Sequence, residues 1–220
     1  MRNSVDYIIK SLETHFGIPA RIDGGDPLSS LVNTILSQST NDRNRDMAYA
    51  RLRQKYGTWE EVMEANAEDI ALAIKPAGLS NQKSVRIKDV LLWIKRTYGE
   101  LNIDFICDED PQKVIEQFTQ LKGVGIKTIT VVLMFTCGVD VFPVDTHVHR
   151  ICRRIGFVPD NATAEKTYHA MQPLVPSGKS YSLHMNFLKL GRTICKAIKP
   201  RCDECPIIDW CEYGSRQNKE

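Results

Sequence analysis

Leu121-Lys122-Gly123-Val124-Gly125-Ile126-Lys127-Thr128 is the stretch on which the reading of this fold turns. Val114, Ile115, Phe118 and Leu121 recur at helical steps before it, and a very apolar helix is expected after it, running to about Cys137. Two glycines one residue apart permit a tight turn between those helices. They leave exposed N–H groups at the start of the second helix, where the dipole also favours an anion. The segment reads as a phosphate grip made of main chain, although the glycines taken alone favour a plain interhelical turn.

Working outward, the apolar spacing is helical nearly throughout. Val5, Ile8, Ile9 and Leu12 recur at three- and four-residue steps, as do Leu31, Ile35 and Leu36, and then Val90, Leu91 and Ile94. Thr58 with Glu61 predicts a capping box, Asn66 stands before Ala67-Glu68-Asp69, and Asp110-Pro111 places a cap ahead of a proline at the first helical position. No period-two run is long enough to define a strand, and no repeat or low-complexity linker interrupts the chain. The expectation is an all-α protein of about ten helices.

The chain has 220 residues, 42% of them hydrophobic, which excludes disordered, collagenous and membrane-embedded classes. At this length folding buries roughly 70% of the unfolded chain's surface, so a core forms without metal supplying the whole stability. The N-terminus carries no basic segment followed by an apolar run and a cleavage site, and no stretch reaches bilayer length; the expected setting is the cytosol or nucleoid. Net charge is +2, but residues 141 to 202 hold ten Lys and Arg against three acids, +7 there and −5 over the remainder. No acidic residue lies between Glu165 and Asp203. Such a stretch suits a phosphate backbone, and also suits an ordinary solvated face.

Two constellations carry chemistry. The expected helix from Lys127 rises about 15 Å, and the extended run Gly138 to Asp145 spans about 23 Å, so Asp145 in Val144-Asp145-Thr146-His147 can fold back toward Lys127. A lysine at one helix start and a carboxylate capping another form a nucleophile with an acid-base partner. The alternative is that Asp145 only caps its helix and Lys127 is a surface lysine. The second constellation is Cys195, Cys202, Cys205 and Cys211, a C-x6-C-x2-C-x5-C tail. Structural zinc sites usually pair two short knuckles; one short pair with single cysteines on either side suits an iron-sulfur cube better. Lys196, Lys199 and Arg201 lie in the first loop, which the cluster would hold in shape as a basic lobe. Cys107, Cys137 and Cys152 have no ligand spacing and are expected as small core or near-surface residues.

The hairpin with its lysine, the loop ending in Val-Asp-Thr-His and the cysteine tail, in that order and spacing, together resemble the endonuclease III family of helix-hairpin-helix DNA glycosylases, from about Pro27 to Tyr213. Lys122 stands where the family hairpin usually has proline, which leaves the glycines intact and adds a phosphate contact. The resemblance implies two lobes, a helical barrel over 24–139 containing the hairpin and a cluster lobe from 1–23 with 140–220, with DNA held between them. It implies that Lys127 and Asp145 are the catalytic pair, that the four cysteines bind a [4Fe-4S] cluster, and that Lys122, Gly123, Val124, Gly125 and Thr128 of the hairpin contact DNA.

The same resemblance makes Gln38, in Leu36-Ser37-Gln38-Ser39-Thr40, the residue that fills the hole left by a flipped nucleotide. Leu79, in Gly78-Leu79-Ser80-Asn81, becomes the wedge in the opposite strand; without the family, Gln38 is a polar helix-end residue and Leu79 an exposed loop apolar. His147 is a candidate for contact with the DNA backbone or the orphaned base, or is structural. The implied activity is a bifunctional glycosylase and AP lyase, a monomer acting on damaged pyrimidines or abasic sites in double-stranded DNA. A mismatch glycosylase acting on thymine, uracil or adenine, and a non-catalytic iron-sulfur DNA-binding protein, are the alternatives.

Overall fold

A computed structural model describes residues 2–21 and 24–217; the expected lobe ends at 1, 23 and 220 lie outside them. Among the described residues there are twelve α-helices and four short 3-10 turns, with no strand. In chain order the helices are α1 (Arg2–Phe16), α2 (Pro27–Ser37), α3 (Asp42–Lys55), α4 (Trp59–Glu64), α5 (Ala67–Ala73), α6 (Ser80–Tyr98), α7 (Pro111–Phe118), α8 (Ile126–Phe135), α9 (Thr146–Ile155), α10 (Ala164–Met171), α11 (Ser180–Thr193) and α12 (Glu212–Gln217). They pack as two compact units, one of Asp23–Gly138 and one of Met1–Ile22 with Val139–Glu220.

In the first unit α2 is the central element, packed against α3, α6 and α8. Its stripe of Leu28, Leu31, Val32, Ile35 and Leu36 is buried, as are Ile87, Leu91 and Ile94 of α6 and Ile129, Val132 and Leu133 of α8. Burying each such side chain contributes roughly 1.5–3 kcal/mol. The Thr58–Glu61 capping box forms in both directions, and Asp110 accepts from the Gln112 and Lys113 amides. Asn66 begins α5 without a side-chain cap bond.

One expectation needs correction. Cys107, in the 3-10 turn after α6, and Cys137, just past α8, are joined as a disulfide with Cα atoms 4.8 Å apart. The pairing partners are 30 residues apart and meet only because the intervening α7 and α8 double back, a tertiary effect that spacing does not show. Cys152 is a buried core residue, as expected.

In the second unit α11 packs on α1 and α9. Gly191 of α11 permits the close approach to α9, because a Cβ there would stand 2.7 Å from His147 Nδ1 and 2.9 Å from its Cβ. Glu13 of α1 accepts from Lys179 Nζ at 3.0 Å and from Ser182 Oγ at 2.6 Å. Burial works against its charge, but these bonds outweigh it and hold the carboxyl below its ordinary range.

Candidate active site and iron-sulfur centre

The hairpin forms where the two glycines demand it. α7 ends at Phe118, the Leu121 carbonyl accepts from the Val124 amide at 3.0 Å, and Gly123 takes φ +93°. Only glycine fits at that position: a Cβ would lie 2.6 Å from Arg86 Cδ, in a backbone conformation that L side chains rarely adopt. Val124 is buried and pins the turn, while Lys122 is exposed. Gly125 is the N-cap of α8 and supplies no side chain to satisfy the first-turn amides, and a Cβ there would meet open space. The hairpin thus presents main-chain donors, with Lys127 half-buried in the first turn immediately beyond and Thr128 buried behind it.

Gln38 is brought to this hairpin. It is the C-cap of α2; its Nε2 donates to the Gly123 carbonyl at 3.1 Å and its Oε1 accepts from Arg86 at 2.9 Å. Leu79 precedes α6 in a left-handed conformation, φ +48°, and is 51% exposed despite its apolar side chain. Gln38, Leu79, the hairpin and Lys127 all belong to the Asp23–Gly138 unit, whereas Asp145 and the cysteine tail belong to the other.

Asp145 is half-buried at the start of α9, where its Oδ1 accepts from the Val148 amide at 2.8 Å. The preceding run Val141-Phe142-Pro143-Val144 is buried and fastened residue by residue. Asp140 accepts from the Gly178 and Ser180 amides, the Gln172 amide clasps both backbone groups of Phe142, and the Pro143 carbonyl is 3.0 Å from His184 Nδ1. His147 Nδ1 lies 3.0 Å from Arg150. A guanidinium has only donors, so this nitrogen accepts and Nε2 carries the proton. The neighbouring His149 is held below the usual histidine range by burial and by Arg153.

Cys195, Cys202, Cys205 and Cys211 line one recess of about 260 Å³, open mouth included, together with Arg154, Ile194, Pro200 and Tyr213. No trio of His, Cys, Asp or Glu among the described residues gathers closely enough to hold a single ion. Four thiols around one recess fit the donor set of a polynuclear cluster. Two N–H···S bonds reach the sulfurs, from Arg154 to Cys195 Sγ at 3.2 Å and from the Gly214 amide to Cys211 Sγ at 3.4 Å, while burial pushes the Cys211 thiol up. Arg154 also donates to the Lys196 and Ala197 carbonyls, and Arg150 to those of Gly191 and Cys195. These two arginines shape the basic loop, a role that sequence reasoning missed, because their partners lie about forty residues away. Lys196 and Lys199 are exposed on the loop; Arg201 is turned to Glu204 and the Thr193 carbonyl. Replacing Cys205 by serine should cost the protein most of its iron and its broad visible absorption, while Cys152→Ala keeps both. Iron content unchanged in Cys205→Ser would sink the ligand assignment.

Comparison with known proteins agrees with this picture. Residues 32–177 match the HhH-GPD superfamily base excision DNA repair protein model, and residues 195–211 match the iron-sulfur binding domain of endonuclease III. The chain is 34% identical over 194 residues to an endonuclease III of Thermotoga maritima, covering 88% of this chain and 86% of that one. A non-covalent endonuclease III–DNA complex superposes with a TM-score of 0.84 at 24% identity, covering 100% of this chain and 99% of that one. A trapped endonuclease III–DNA covalent intermediate gives 0.82 at 23% identity, with 99% of each covered. The chain belongs to the HhH-GPD superfamily of base excision DNA repair proteins, within its endonuclease III family. It is a base-excision DNA glycosylase that carries a [4Fe-4S] cluster. Cys195, Cys202, Cys205 and Cys211 would hold the cluster, and so tied they would fix the loop carrying Lys196 and Lys199. No described helix is long and apolar enough to cross a membrane.

Proposed function

We propose that the enzyme removes oxidised pyrimidines such as thymine glycol through a Schiff base on Lys127, with Asp145 as its acid-base partner. The observation that carries the reading is an amine in the first turn of α8, directly behind a hairpin whose N-cap has only main-chain donors to offer. A phosphate held there places the adjoining sugar beside the lysine. A glycosylase that activates water has no use for an amine at this point.

The target C1′ is hidden in stacked duplex, so the nucleotide is extruded first, and damaged or mispaired bases lift most easily. Gln38 fills the vacated space and Leu79 wedges the opposite strand. The neutral Lys127 amine then gives its electron pair to C1′, and the glycosidic bond breaks toward the base, which takes up a proton. Asp145 accepts the proton shed by nitrogen and stabilises positive charge developing on the sugar. Ring opening gives the Schiff base; loss of a C2′ proton expels the 3′ phosphate, and water hydrolyses the imine to restore the lysine.

The lobes of this reading are a helical barrel over 24–139 containing the hairpin and a cluster lobe made of 1–23 with 140–220. His147 and the loop lysines serve the flanking backbone. The enzyme works as a monomer in the cytosol, on the nucleoid. Borohydride added to the protein with a thymine glycol duplex or an abasic duplex is expected to trap a covalent complex on both. Trapping on the abasic duplex alone would move the substrate to a mismatched base, and trapping on neither would overturn the lysine mechanism.

A further inference from the structure

Among the described residues, one of the largest side chains wholly sealed from solvent is not apolar: Lys83 is 0% exposed. It stands on the stripe of α6 that continues through Ile87, Val90, Leu91 and Ile94, all buried, where the helical period calls for an apolar residue. Its ammonium donates to the Leu36 and Ala77 carbonyls, each at 2.8 Å. Among the described residues it makes no ion pair, and the one charge that acts on it is the like charge of Arg86, three residues on. Burying an ammonium without a counter-charge is unfavourable, and a methionine of the same reach would fill the space without that penalty. The lysine is explained by what it holds.

Both carbonyls sit at the C-terminal ends of helical segments, α2 and the 3-10 turn Lys75–Ala77, where orphan carbonyls and the dipole favour a cation. Two residues beyond Leu36 is Gln38, and two beyond Ala77 is Leu79. Each anchored carbonyl leads into irregular backbone, Ser39 at φ +54° on one side and Gly78 at φ +69° and Leu79 at φ +48° on the other. Arg86, one turn along α6, ties Gln38 to the same helix.

We propose that Lys83 is a positioning residue for nucleotide extrusion: by anchoring the Leu36 and Ala77 carbonyls it fixes the spacing of Gln38 and Leu79, so that the two side chains enter the duplex as one rigid clip. This rests on the assignment of Gln38 and Leu79 as inserting residues.

The test is Lys83→Met under single-turnover conditions on two substrates, thymine glycol paired opposite adenine and the same lesion in a one-nucleotide bulge, where it is already unpaired. A 2-aminopurine beside the lesion reports unstacking, and Gln38→Ala and Leu79→Ala are run alongside. Lys83→Met is expected to slow excision from the paired duplex at least 30-fold, to delay the 2-aminopurine signal equally, and to change the bulge rate less than threefold. Equal slowing on both substrates, or on neither, would overturn the proposal. If Gln38→Ala and Leu79→Ala keep their preference for the bulge while Lys83→Met shows none, the inference about Lys83 fails alone. If neither alanine variant shows that preference, the inserting-residue assignment fails and takes this inference with it. Should Lys83→Met not fold, as judged by far-ultraviolet circular dichroism, Lys83→Gln serves in its place: its amide still donates to one carbonyl, and the same selective loss, smaller in size, is expected.

Discussion

Lys127→Ala is expected to yield no borohydride adduct on any duplex, and to lower strand cleavage at an abasic site on the order of 10⁴-fold or more, as removal of a covalent nucleophile does elsewhere. Alanine is the best helix former, so α8 survives the change. The proposed phosphate grip is main chain, and the variant should still bind an abasic duplex within a few-fold of the wild type in a fluorescence anisotropy titration. That combination separates chemistry from recognition. Cleavage persisting within tenfold of the wild type would assign the nucleophile elsewhere.

The second large effect is expected from Asp145→Asn. Asparagine caps a helix as well as aspartate does, so the bond from the Val148 amide, 2.8 Å in the native protein, is kept and α9 starts where it did. What is lost is the charge that in the proposed mechanism accepts a proton and faces a developing cation, and base excision should slow by about 10²–10⁴-fold. Asp145→Ala removes cap and charge together and should cost about 1 kcal/mol of stability as well. Measuring thermal unfolding and single-turnover excision on both variants resolves the two roles. Full excision by Asp145→Asn would leave Asp145 as a cap and nothing more.

How much of this was legible in the sequence depends on the range of the interaction concerned. The hairpin, the Thr58–Glu61 box and the cysteine tail are local patterns, and each is present in the structure as such. Helix α3 was harder to see, since only Ala48 and Leu52 of its fourteen residues are buried and a stripe that sparse has little periodicity. The Gln172 clasp, the Arg150 and Arg154 anchors and the Cys107–Cys137 bond join residues at least thirty apart, and nothing local announces them. Lys83 did leave a signal. A lysine four residues before Ile87 and seven before Val90 occupies an apolar register, and a charge in such a place marks a special role.

The Cys107–Cys137 bond gives the chain a topology beyond that of a simple thread. α7, the hairpin and α8 lie between its ends, so the hairpin and Lys127 ride on a closed covalent ring. A single backbone break anywhere in that ring leaves one molecule, with both shores of the cut still fastened to the rest of the enzyme.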